Sequence, residues 1–121
     1  MTIMTKSGNE LFRYCSSNAR GLVSVRDDGT TWVKSPWNKD WKLESQKGPE
    51  VDMGDWLTIK IRLKSNLKDW QLRSRYLPSF EKIATWLSTN YSRTPTGAVV
   101  KHDEKDEHGA PSWLTILGMD P

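Results

Sequence analysis

Seven tryptophans in 121 residues constrain this chain more than any other feature. Leu, Ile, Val and Phe together number only 24, about one residue in five, which places the chain at the edge of the compositions that stay disordered. Each indole buries on the order of 150 to 250 Å², and a formal net charge of +3 is too small to expand the chain by self-repulsion. The composition therefore predicts a folded domain built on a few large aromatic anchors, and the length suits one compact unit, residues 1–121.

Two further absences narrow the class. No apolar run approaches the roughly 18 residues of a membrane span, and no apolar stretch follows Lys6 toward a small-residue cleavage site, so a cytoplasmic protein with no membrane partner is expected. Cys15 is the single cysteine, which excludes an internal disulfide and a cysteine metal site and fits a reducing compartment.

The near-neutral total conceals a strong asymmetry. Met1 to Asp55 carries 8 basic and 8 acidic residues; Trp56 to Lys101 carries nine cations against Asp69 and Glu81; His102 to Pro121 has five carboxylates and only Lys105. A basic middle segment is where a partner is to be sought.

The pattern of elements points to an α+β chain. Leu57, Ile59, Ile61 and Leu63 alternate with Thr58, Lys60, Arg62 and Lys64, which predicts a strand from Trp56 to Lys64 with its aliphatics on one face and its cations on the other. Phe80, Ile83, Ala84, Leu87 and Tyr91 fall at helical spacing after Pro78, with Ser79 as N-cap, and predict a helix over 79–90 covering that aliphatic face. Leu22 to Arg26 and Thr30 to Lys34 flank Asp27-Asp28-Gly29 and read as a hairpin. Leu11, Phe12, Cys15 and Ala19, stopped by Gly21, read as a first helix, although Tyr14, Ser16, Ser17 and Asn18 form helices poorly. Residues 35–54 read as a long loop pinned by Trp37 and Trp41, Lys68 to Leu77 fits either a strand or a short helix, and Gly97 to Lys101 and Trp113 to Leu117 read as short strands on either side of a charged loop, 102–112. The expected architecture is a small antiparallel sheet with one or two helices packed on one face.

Three constellations carry possible chemistry. Lys60, Arg62 and Lys64, followed by Lys68, Trp70, Arg73 and Arg75, place cations and an indole along one segment beginning at Trp56; cations follow a phosphate backbone and an exposed ring offers a surface for a base. A half-exposed strand needs polar outward residues in any case, Trp70 suits a core equally well, and no strict nucleic-acid motif is present. The second constellation is His102-Asp103-Glu104-Lys105-Asp106-Glu107-His108, whose donors suit divalent cations but lack the alternation and central glycine of an EF-hand; a solvated loop without metal is the better reading. The third is Trp32, Trp37 and Trp41, which serve either to close a small core or, for Trp37 and Trp41 in their polar surroundings, to anchor a partner. Cys15 has no base in local reach and reads as a packed thiol. Gly-rich phosphate loops and the H-E-x-x-H and G-x-S-x-G motifs are absent.

These readings favour a small non-enzymatic binding or inhibitor protein without cofactor, of the size and composition common among accessory proteins of phages and other mobile elements. It engages nucleic acid or an acidic protein or nucleoprotein surface through Trp56, Lys60, Arg62, Lys64, Trp70, Arg73 and Arg75. The competing classes are a small nuclease toxin using His102 and His108, with Arg93 or Lys101 stabilising phosphate charge, and an immunity-type inhibitor anchored by Trp37 and Trp41.

Overall fold

The computed structural model describes residues 8–74 and 76–119. Among these residues the fold is α+β, with a four-stranded antiparallel sheet, a two-stranded sheet and four helices. The larger sheet runs β1 (Glu10–Ser16), β2 (Gly21–Arg26), β3 (Thr30–Lys34), β4 (Lys42–Gln46), each strand beside its neighbour in the chain. The hairpin expected around Asp27-Asp28-Gly29 is present. Gly29 takes φ +86°, and Thr31 and Val33 pair with Val25 and Val23.

The sheet carries an apolar core on each face, because its strands alternate. Phe12, Val23 and Val25 point to one side, where they pack with Trp56. Cys15 and Leu22 point to the other, where they meet Trp70, Ile83, Trp113, Leu114, Ile116 and Leu117. Residues 9–21 are therefore not a helix but strand β1 and its turn. A register shift between Glu10 and Phe12 leaves Leu11 exposed, and from Phe12 onward buried side chains alternate between the two cores at period two.

The segment expected as a strand from Trp56 to Lys64 is instead the helix α1 (Met53–Asn66). Asp52 caps it by accepting from Gly54 N, and Asp55 sits in its first turn. Its inner side is formed by Met53, Trp56, Leu57, Leu63 and Leu67, all packed on the Phe12–Val23–Val25 core. Of the alternating aliphatics only Leu57 and Leu63 face that core; Ile59 is exposed and Ile61 is 65% exposed. The helical stripe is masked in the sequence because Lys60 and Lys64, polar in any pattern, border it, each with its ammonium group over a ring of the core, Trp56 and Phe12.

Next comes α2 (Asp69–Arg73), which settles the ambiguous 68–77 segment and lies against β1, with Gln71 Nε2 donating to the Cys15 carbonyl at 3.1 Å. The expected helix after Pro78 is α3 (Phe80–Leu87), capped by Ser79 accepting from Lys82 N, but its packing differs from the expectation. Ile83 is buried and Trp86 partly so, whereas Phe80, Ala84 and Leu87 are exposed. The apolar stripe is wider than the contact available to so short a helix, and only its Ile83 edge reaches the core. Strands β5 (Tyr91–Arg93) and β6 (Val99–Lys101) form the second sheet. Trp113 to Leu117, expected as a strand, is the short helix α4 (Trp113–Ile116), started by Ser112 accepting from Leu114 N and stopped at Gly118, φ +72°. The presumed loop 35–54 contains β4 and the start of α1. No helix among the described residues is long and apolar enough to cross a membrane.

Candidate functional site

The helical course of α1 disperses the basic row. Lys60 and Lys64, four residues apart, lie on the sheet side, with Lys60 Nζ 5.5 Å from the centre of the Trp56 ring system and Lys64 Nζ 5.9 Å from that of Phe12. Arg62 faces away and is exposed. Trp56 and Trp70 are 8% and 9% exposed, so neither indole presents a free surface. Arg73 is engaged with Asp69 at 2.6 Å. Arg75 lies outside the described residues.

The charged loop 102–112 exposes Asp103, Glu104, Lys105, Glu107 and His108 to solvent, as expected, and is organised around one carboxylate. Asp106 accepts from the Thr94 hydroxyl at 2.6 Å, from the Thr96 hydroxyl, and from the amides of His108 at 2.8 Å and Ala110 at 3.0 Å. Burial works against its ionisation, yet these four donors outweigh it and hold the carboxyl at a pKa of about 2. The loop is thereby tied to the β5–β6 turn. The two histidines differ in setting: His102 Nε2 is buried without a partner, and His108 is exposed 3.6 Å from Glu107. No group of three metal-ligating side chains occurs among the described residues. Cys15 is fully buried, and burial, opposed by a hydrogen bond with Ser74, pushes its thiol up to about 12.

Aromatic and cationic groups do converge elsewhere, on the face of the sheet opposite α1. The Arg13 guanidinium stacks 4.9 Å from the centre of Trp41, and Arg26 lies 4.9 Å from Trp32 and 5.9 Å from Trp41. Glu10 fixes this array by bonding Arg13 Nε at 2.9 Å and accepting from the Ser24 hydroxyl at 2.6 Å. Beside it opens a cleft of about 350 Å³ bounded by Arg13, Lys34, Asn38, Trp41, Tyr76 and Pro78. No carboxylate is among the described residues that line it, although Glu10 holds Arg13 from behind. Trp37, 41% exposed, stands on the same 35–41 loop.

The Tyr76-Leu77-Pro78 segment is also the wall of a second cleft, about 200 Å³, whose far side is Lys82, Trp86, Arg93 and Trp113. Trp86 and Arg93 continue into two neighbouring grooves, one beside Ser79, Glu81 and Thr85, the other beside Tyr91 and Val99. Arg93 is steadied by donating from Nη1 to the Gly97 carbonyl at 2.7 Å. Among the described residues, Glu81 is the one carboxylate along this lining. Lys34, Tyr76, Lys82, Trp86 and Arg93 thus form a surface that the sequence did not reveal; Lys82 and Arg93 belonged to the basic middle, Arg93 also to the nuclease alternative, and Tyr76 carried no periodic signal.

Comparison with protein-family models, with curated proteins and with solved structures returned no match, so function rests on this geometry.

Proposed function

We propose that this chain is a non-enzymatic binding protein that engages an anionic partner, with the first cleft as its seat. The observation that carries the reading is the placement of Lys34 and of Arg13, itself held by Glu10, beside Trp41 and Tyr76 around one opening with no carboxylate among the described residues that line it. Cations give such a site its attraction for an anion, and large rings contribute contact area at small rotamer cost. The basic helix face is the weaker candidate, since Trp56 and Trp70, the rings it would offer a partner, are buried. A binding role also agrees with the chemistry of the candidate catalytic groups: the Cys15 thiol is held protonated, and one nitrogen of His102 is buried away from any substrate.

The test titrates the protein at low salt with two labelled probes, a twelve-residue polyglutamate peptide and a twelve-nucleotide oligothymidylate, followed by anisotropy. At least one probe binds, Lys34→Glu weakens it about tenfold or more, and Arg62→Glu, on the far side of the molecule, leaves it within about twofold. Absence of binding by both probes, or the reverse sensitivity of the two variants, overturns the reading.

A further inference from the structure

We infer that the anionic partner is a single-stranded nucleic acid that lies across both clefts, with Tyr76 as the ridge between them; the inference rests on the anion-binding reading above. The two clefts are adjacent because Tyr76, Leu77 and Pro78 line each of them. Followed along the surface, the order of groups is Trp41 with Arg13 and Lys34, then Tyr76, then Trp86 with Lys82 and Arg93, then Tyr91. Rings and cations therefore recur together, and an unpaired strand supplies their counterparts together, one phosphate and one base in every nucleotide.

Tyr76 distinguishes this partner from an acidic protein. It is 86% exposed, the highest value among the exposed large hydrophobic residues, on the irregular segment ahead of Pro78. A carboxylate-rich peptide satisfies Lys34, Lys82 and Arg93 but leaves the face of this ring in water. A base covers it. A duplex has its bases stacked on one another and offers no such face, which excludes double-stranded nucleic acid as the preferred occupant. Oligonucleotide sites of this kind take about 4 to 16 nucleotides, so a four-nucleotide probe occupies one cleft and a twelve-nucleotide probe spans both.

The experiment measures anisotropy of labelled oligothymidylates of four and twelve nucleotides, a twelve-base-pair duplex and the polyglutamate peptide. The longer strand binds more than about tenfold tighter than the shorter and than the duplex. Arg93→Glu removes most of that gain while leaving the four-nucleotide probe within about twofold, and lowers the slope of log K against log salt by about 0.7 or more. Tyr76→Ala, whose exposed side chain is not needed for folding, weakens the longer strand about fivefold or more without changing the salt slope. Far-UV circular dichroism verifies that both variants are folded. Equal affinity for the two lengths, a duplex bound as tightly as the strand, or indifference to Tyr76→Ala overturns the inference. Tight binding of polyglutamate with none of the oligonucleotides overturns it while sustaining the anion-binding reading, and failure of all four probes overturns both.

Discussion

Replacing Asp106 by Asn separates a charge-dependent contribution to stability from a packing one. The amide keeps the size of the side chain and one acceptor oxygen, but it loses the charge to which two hydroxyls and two backbone amides now donate. In the folded chain the carboxyl titrates at about 2, against an ordinary 3.8. Its folded pKa lies below its unfolded one, so the stabilisation is complete above the unfolded value and is lost as pH falls through the window from about 4 to about 2. At 1.36 kcal/mol per unit the shift corresponds to roughly 2 kcal/mol, and partial exposure of the group brings the expected contribution to about 1–2 kcal/mol. Urea denaturation of both proteins at pH 7, 5, 3.5 and 2.5 measures this directly. Asp106→Asn is less stable by about 1–2 kcal/mol at pH 7, and the difference narrows toward zero at pH 2.5. A difference that stays constant with pH refutes the assignment of this loop to a hydrogen-bonded carboxylate.

Two other outcomes follow from burial. Leu114→Ala, at a fully buried position, costs about 2–5 kcal/mol, while Ile61→Ala on the open side of α1 stays within about 0.5 kcal/mol, both read from urea midpoints; equal costs would return α1 to the strand reading. The Cys15 thiol, buried and raised to about 12, reacts with a disulfide reagent at pH 8 only at the rate at which the chain opens, and addition of denaturant accelerates the reaction; prompt stoichiometric labelling of the native protein contradicts its placement.

Local chemistry was the legible part of this sequence. Asp28-Gly29 identified the β2–β3 turn and Ser79 identified the start of α3, because turns and caps depend on a few adjacent residues. Period was less trustworthy. Over Leu57 to Leu63 the alternation matched a strand without exception, and the competing helical stripe was concealed by Lys60 and Lys64, which count as polar in any pattern but border the stripe with their ammonium groups over the rings of Trp56 and Phe12. The cap that decides the matter, Asp52, fell inside a segment read as loop. Ser112 and Gly118 likewise bracketed α4, whose four residues are too few for either period to speak. The clefts were illegible for a different reason. Lys34, Tyr76 and Arg93 come from β3, from an irregular segment and from β5, and their proximity is a product of the two faces of the sheet being covered by different stretches of chain.

That two-sided covering has a consequence for how the molecule comes apart. The core holding Phe12, Val23, Val25 and Trp56 closes with residues up to Leu72, whereas the core holding Cys15 and Leu22 needs Ile83 and the stretch from Ala110 to Leu117. With its apolar interior divided by its own sheet, the domain is expected to open in two units, the one built on α3 and α4 with the smaller loss of strand pairing. The Tyr76–Pro78 wall stands on that side, and Trp41 stands on the sheet. On the single-strand proposal, a strand seated across both clefts would clasp the two units together, and amide exchange in α3 and α4 would slow on binding by up to the binding free energy. In the same titration the amides of β2, already protected by the first core, barely respond.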